Sequence, residues 1–153
     1  DIILICTNTM HKLANFVTSA TVLPLLHIAD ATAKQIKRDK ISHVGLLGTK
    51  FTMEQDFYKG KLATHGLDVI VPSKDDRNKI HEIIYKELCL GAIKESSCRA
   101  YLEIIDGLIK NGARGIILGC TEIELLVKPG DCQIPLYPTA RIHAEFAAEY
   151  SLM

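Results

Sequence analysis

The stretch Gly115-Ile116-Ile117-Leu118-Gly119-Cys120-Thr121-Glu122-Ile123 decides the fold. A short apolar run bounded by glycines, with no polar alternation, reads as a strand buried on both faces, and such strands belong to parallel sheets covered by helices. Outward from it the pattern repeats. Ile2–Ile5, Val44–Leu47 and Leu67–Val71 read as strands, with weaker candidates at Leu23–Ile28, broken by Pro24, and at Ile134–Tyr137. Helical periods lie between them. Met10, Leu13, Ala14 and Val17 share one face, as do Ile80, Ile83, Ile84 and Leu88, and Tyr101, Ile104, Ile105 and Leu108. Thr52-x-x-Gln55 reads as a capping box, Ser97 and Thr139 as N-caps, and Gly66 and Gly112 as the glycines that follow helix ends. The alternation predicts an α/β chain with mainly parallel, doubly wound sheet.

The 153 residues amount to about one average domain or two small ones, and 48% apolar against 24% charged residues is enough to bury a core. Eighteen Lys and Arg balance eighteen Asp and Glu, which disfavours a nucleic-acid partner, since that affinity rests on cationic charge. No apolar run approaches the roughly 18 residues of a membrane span, so no membrane association is expected. Five cysteines, an odd number without a CxxC pair, fit free thiols in a reducing cytoplasm better than a disulfide framework or a metal site. The chain opens directly on the apolar run after Asp1; a central strand seldom begins a natural chain, so further residues upstream are expected.

In sheets of this kind ligands sit beyond the carboxyl ends of the strands. That rule selects Cys6-Thr7-Asn8-Thr9-Met10-His11, Gly48-Thr49-Lys50-Phe51-Thr52, Gly119-Cys120-Thr121-Glu122 and Pro138-Thr139. Cys120, at a strand end before a helix, stands where a helix start stabilises a thiolate. A buried structural thiol is the commoner fate of a free cysteine; the Gly-Cys-Thr-Glu turn favours function for Cys120, whereas Cys89, Cys98 and Cys132 read as structural. Asn8 and Thr9 bring amide, hydroxyl and N–H groups together in a way that suits a carboxylate, and they suit plain N-capping equally well. His11 is expected on the helix surface and Met10 in the core.

Taken together, Ile5-Cys6-Thr7-Asn8-Thr9-Met10-His11-Lys12 and Ile117-Leu118-Gly119-Cys120-Thr121-Glu122-Ile123 resemble the paired signatures of the aspartate/glutamate racemase family. Gly45-Leu46-Leu47-Gly48-Thr49 and Ile142-His143-Ala144-Glu145 resemble its later segments. The resemblance implies a cofactor-independent enzyme with two doubly wound α/β domains and a cleft between them, acting on a small acidic amino acid; relatives often form homodimers. Family chains begin with a further stretch carrying a Gly-Gly-Met-type loop, which is not found here. The chain is therefore expected to hold about two thirds of a family chain, with the first domain largely missing: residues 1–22 plus 129–153 as its remnant, and 23–128 as domain two.

The family reaction removes the α-proton from one face and returns a proton on the other, so two acid/base groups must flank Cα. Cys120 matches the family's second catalytic cysteine. At the first position most relatives read Cys-Asn-Thr; aligning on Asn8-Thr9 puts Thr7 there, and alternation in extended backbone would turn Cys6 away, into the core. A threonine hydroxyl is a poor base but can donate a proton, so the Thr7/Cys120 pair implies a kinetic bias from L to D, as in a bacterial subgroup with an unbalanced pair. Asn8, Thr9 and Thr121 are the expected donors to the substrate carboxylates, and Glu122 is expected to support Cys120 from behind. Nothing basic stands near Leu88-Cys89-Leu90-Gly91, where some aspartate racemases carry a cation. The distal carboxylate is then left to Thr49 and Thr52 or to the missing domain, and both aspartate and glutamate are expected to be tolerated. Thr49 and Thr52 serve equally as turn-making and capping residues. Other enzymes of the superfamily (maleate isomerase, hydantoin racemase, arylmalonate decarboxylase) and a non-catalytic dicarboxylate-binding domain are the alternatives.

Overall fold

The computed structural model describes residues 1–152. Among them every paired strand is parallel. Strands β1 (Ile3–Leu4) and β2 (Leu25–Leu26) form a two-stranded sheet with Ile3 opposite Leu25. Strands β3 (His43–Gly48), β4 (Asp68–Ile70), β5 (Ile116–Gly119) and β6 (Leu136–Pro138) form a four-stranded sheet in the order β4-β3-β5-β6. The two interior strands are those with unbroken apolar runs: Val44, Leu46, Leu47, Ile116, Ile117 and Leu118 are all buried. The edges carry the polar Asp68 and the donorless Pro138, as edge positions permit.

Helices α1 (Ala14–Ser19), α2 (Ile28–Arg38), α3 (Lys50–Glu54), α4 (Asp56–Thr64), α5 (Lys74–Lys86), α6 (Glu95–Lys110), α7 (Ile123–Leu126) and α8 (Thr139–Ser151) complete the chain, with 3₁₀ turns at Thr9–Leu13 and Leu88–Leu90. The apolar stripes of α5 and α6 are buried as their spacing predicts, through Ile80, Ile83, Ile84, Tyr101, Ile104, Ile105 and Leu108, with Leu88 buried in the 3₁₀ turn just beyond α5. Each such side chain removed from water contributes about 1.5–3 kcal/mol. Gly66 and Gly112 follow α4 and α6 at φ +76° and +101°, the left-handed conformation in which helices commonly end.

Three local expectations fail. The cap of α3 is Thr49, whose hydroxyl accepts from the Thr52 N–H, so Thr52 lies inside the helix and no Thr52–Gln55 box forms. Ser97 lies within α6 and donates to Glu87 across 2.5 Å; Thr139 is the first residue of α8 and donates to the Leu118 carbonyl at 2.9 Å. Of the predicted face Met10, Leu13, Ala14 and Val17, only Ala14 is buried. Strand β6, in segment 129–153, hydrogen-bonds to β5.

Two glycines set the register at the carboxyl ends. Gly48 pairs with Gly119. A Cβ on Gly119 would lie 2.7 Å from the Leu47 carbonyl, and one on Gly48 would lie 2.9 Å from the Gly119 carbonyl. Only glycine lets β3 and β5 approach this closely where their chains turn, and the turns bearing Thr49 and Cys120 thereby stand side by side.

Candidate active site

The turns after β1, β3 and β5 open onto one cleft of about 400 Å³. The first contributes Thr7 and Thr9, the second Thr49, and the third Cys120, Thr121 and Glu122. Ile84 and Tyr85 of α5 and Cys89 of the following 3₁₀ turn form the remaining wall. Seven of the eight residues selected from sequence therefore meet in one cavity, Asn8 included. Thr52 does not line it: it is fully buried behind Thr9 and Thr49.

Hydrogen bonds hold the β1 turn in place. Asn8, 3% exposed, donates its amide to the Thr139 hydroxyl at 2.9 Å, and Thr139 passes its one proton to the Leu118 carbonyl at 2.9 Å. The turn is so tied to the ends of β5 and β6. The donor expected to face a substrate carboxylate is engaged in this anchor, and Asn8 Oδ1 is buried with no hydrogen-bond partner. On the other side, the hydroxyls of Thr9, Thr49 and Thr52 form a triangle with edges of 3.1, 3.3 and 3.4 Å. Thr9 and Thr49 reach the cleft from this triangle, and Thr52 steadies them.

Cys120 Sγ donates to Glu122 Oε2 at 2.9 Å, and Thr121 Oγ1 donates to the same oxygen at 2.7 Å. Burial, followed by the hydrogen bond to Glu122 and its negative charge, pushes the thiol far above its ordinary value. Burial also works to raise Glu122, but the donors on Cys120 and Thr121 outweigh it and hold the carboxyl below the usual range. The resting pair is thus a thiol and a carboxylate. This corrects the expectation that a helix start favours a Cys120 thiolate: α7 is only four residues long, and the nearest ionised group is an anion. Glu122 also lines the cleft itself rather than standing wholly behind the thiol.

Several other placements differ from expectation. Cys6 is exposed and opens onto the cleft beside Thr7 instead of entering the core. The chain leaves strand geometry after Leu4, so side-chain alternation no longer applies. Cys89, read as structural, is likewise exposed on the cleft wall, with its thiol raised by burial and by Glu122. His11 and Met10 exchange roles: His11 is 2% exposed and Met10 43%. Tyr85 escaped sequence reasoning because its neighbours Ile83 and Ile84 carry the core stripe. Its signal was a large aromatic off that stripe on a helix whose end points toward the strand termini.

Relatives share this arrangement of chain. The family model for Asp/Glu/hydantoin racemases matches residues 1–147. A candidate Asp/Glu racemase from Yersinia pestis is 54% identical and superposes with a TM-score of 0.95 over 99% of this chain and 66% of its own. An aspartate racemase homologue from Pyrococcus horikoshii OT3 is 33% identical, with a TM-score of 0.90 over 99% of this chain and 67% of its own. An uncharacterized protein from the pnlA 3′ region of Pectobacterium carotovorum subsp. carotovorum is 31% identical over 108 residues, 68% of either chain. The chain thus spans about two thirds of the length of these relatives. No helix among the described residues is long and apolar enough to cross a membrane. A family model matched along nearly the whole sequence, together with two close structural relatives carrying the same parallel sheets, makes this chain a member of the Asp/Glu/hydantoin racemase family.

Proposed function

We propose that this chain forms one wall of the cleft of a racemase that acts on L-glutamate and L-aspartate without pyridoxal phosphate, using Cys120 and Thr7 as the acid/base pair. The observation that carries the reading is that Thr7 and Cys120, 113 positions apart in sequence, line one small cavity with the hydroxyls of Thr9, Thr49 and Thr121. In the L-to-D direction, Glu122 accepts the Cys120 proton across their contact; the pair keeps its single negative charge, and the entering substrate ammonium favours that charge on the sulfur. The thiolate takes the α-proton, and the carbanion is stabilised by hydroxyl and N–H donors aimed at the α-carboxylate. Thr7 delivers a proton to the opposite face and recovers one from water, while Glu122 releases its extra proton to solvent. The reverse direction requires a threonine hydroxyl to act as base, so it is slower from the same bound state. The equilibrium constant between enantiomers is unaffected. The division of the chain also stands as a proposal: residues 1–22 plus 129–153 belong with one lobe and 23–128 with the other, with strand pairing across both divisions, β1 to β2 and β5 to β6.

The test is exchange of the α-proton of L-glutamate and L-aspartate in D2O. Cys120→Ser should lower exchange by about 10²–10⁴-fold, the contribution typical of a positioned acid/base group. Thr7→Cys should raise the rate on D-substrates. Undiminished exchange in Cys120→Ser would end the reading. One observation favours a second reading, a hydantoin racemase: among the described residues those lining the cleft include the Glu122 carboxylate but no Lys, Arg or His, and a neutral ring needs no cation. α-Proton exchange on a 5-substituted hydantoin, absent with either amino acid, would select it.

A further inference from the structure

Helix α2 is capped by two imidazoles. The first N–H groups of a helix lack partners within it. Here the Ile28 N–H donates to His11 Nε2 at 3.1 Å, and the Ala29 N–H donates to His27 Nδ1 at 3.1 Å. The other nitrogen of His11, Nδ1, lies 2.8 Å from the Thr7 carbonyl oxygen. A carbonyl only accepts and a backbone N–H only donates, so His11 must carry its proton on Nδ1 and a lone pair on Nε2. Both ring nitrogens of a buried histidine are therefore engaged with main chain, one contact on the β1 turn and the other on the start of α2. His143 adds a third buried ring: its Nε2 donates to the Leu26 carbonyl at 2.7 Å, and its centroid lies 6.0 Å from that of His11. The His27 ring is 4.3 Å from His11.

Resting on the racemase reading above, we infer that His11 is a positioning residue: its neutral imidazole, strung between the Thr7 carbonyl and the Ile28 N–H, fixes the direction in which the Thr7 hydroxyl enters the cleft. The Thr7 carbonyl belongs to the peptide that leads into Asn8, and Asn8 is itself pinned to Thr139. With both ends of that peptide held, the bond from Cα to the Thr7 side chain has one orientation. Without His11 only the Asn8 end is tied, and Thr7, exposed and without a side-chain partner among the described residues, swings about it. A proton donor misplaced by about 1 Å can lose about 10²-fold in rate, because its effect depends on alignment with the reacting carbon.

The clamp holds only while His11 is neutral. A second proton on Nε2 would face the Ile28 N–H, donor against donor. Several groups around the ring bear on that proton. His27 stands before α2 and His143 on α8. Asp30 of α2 contacts both His65, at 2.6 Å, and Lys61, at 3.1 Å, on α4. Lys12 is the neighbour in sequence. Burial is the largest influence and holds His11 below the ordinary histidine range, with His143 acting the same way and the Thr7 carbonyl and Asp30 opposing. Acidification strong enough to overcome the burial releases Thr7.

Two measurements on the intact protein decide the matter. Long-range ¹H–¹⁵N correlation at neutral pH should show His11 as the Nδ1-protonated neutral tautomer; an Nε2-protonated ring or an imidazolium overturns the clamp whether or not the protein is active. Steady-state racemisation of L-glutamate should then separate two variants. His11→Phe keeps the ring and loses both hydrogen bonds; kcat should fall at least tenfold with KM within about twofold. His11→Asn places an amide N–H near the Nδ1 position and should recover most of kcat. In His11→Phe the acid limb of the kcat profile set by His11 should also disappear. Equal losses in both variants, or a loss confined to KM, would overturn the inference while leaving the racemase reading in place. Absence of any α-proton exchange by the wild-type protein would fail that reading, and the tautomer measurement would still decide the clamp.

Discussion

Replacing Glu122 by Gln tests what sets the state of the Cys120 thiol. The carboxylate oxygen accepts from Sγ at 2.9 Å and, among the described residues, carries the full negative charge in contact with it. A unit charge about 4 Å away in a medium of effective dielectric about 20 changes the energy of an ion by roughly 4 kcal/mol. Glu122 is half-exposed, so solvent screens much of this, and a thiol shift of one to two decades, about 1.4–2.7 kcal/mol, is the reasonable share. The sign is downward: the neutral amide removes the repulsion, and its N–H can donate to a thiolate. Burial of Cys120 is unchanged and keeps the group above an ordinary cysteine. The assay is the rate of iodoacetamide alkylation against pH, with the site assigned by peptide mass spectrometry so that the exposed Cys6 and Cys89 are counted separately. At pH 8 alkylation of Cys120 should rise about 10–100-fold in Glu122→Gln, with Cys6 unchanged. An unaltered or slower Cys120 reaction would show that burial alone governs the thiol and that the contact with Glu122 is incidental.

Two other outcomes follow from the fold. His27, held to about 4 by burial and then by His11, is neutral in the folded protein at pH values where an unfolded chain, with its ordinary value of 6.5, takes up a proton. Its neutral-state stabilisation is complete above pH 6.5 and is lost as pH falls towards 4, by about 3 kcal/mol in total. Urea unfolding between pH 7.5 and 4.5 should show this slope, and His27→Asn, which retains an acceptor for the Ala29 N–H, should flatten it. Gly119→Ala places a methyl 2.7 Å from the Leu47 carbonyl, with backbone on the other side of the clash, and should cost about 1–3 kcal/mol, seen as a lower unfolding midpoint.

The parts of the fold legible in sequence are those in which one physical demand acts alone. Strands β3 and β5 are buried on both faces, so their residues run apolar without interruption. In α5 and α6 one face meets the sheet and the other meets water, and the 3.6-residue period survives intact. The failures cluster at the β1 turn. Residues Thr9–Leu13 form a 3₁₀ turn, in which positions three apart share a face. His11 and Ala14 thereby take the buried side, and Met10 is rotated to the surface. A reading based on the α-helical period could not find this, because the tighter turn goes with the His11 contacts to the Thr7 carbonyl and the Ile28 N–H, and main-chain partners leave no mark in a side-chain pattern. The candidate site was legible at the level of turns, through the rule that ligands gather at the carboxyl ends of parallel strands. Individual roles were less so. Asn8 and Thr52 have side chains suited to a substrate, yet the structure uses both to hold neighbouring turns.

This use of polar residues bears on how such a cleft keeps its shape. Its three turns come from two separate sheets, and strand pairing cannot align one sheet with the other. The alignment instead runs through side chains: Asn8 to Thr139 to the Leu118 carbonyl on one side, and the Thr9, Thr49 and Thr52 hydroxyls on the other. Both links are buried or nearly so, where a hydrogen bond left unmade costs about 1–3 kcal/mol and the correct arrangement is favoured over its near neighbours. Hydroxyl and amide groups also hold their geometry without taking on charge between pH 4 and 9, so the frame does not move while Cys120 and Glu122 exchange a proton beside it. A cleft that must present two groups to opposite faces of one carbon is served by that separation: titrating residues at the reacting atoms, and hydroxyls and amides that do not titrate in the links between the sheets, with His11 a titratable tie that holds the Thr7 carbonyl while it is neutral.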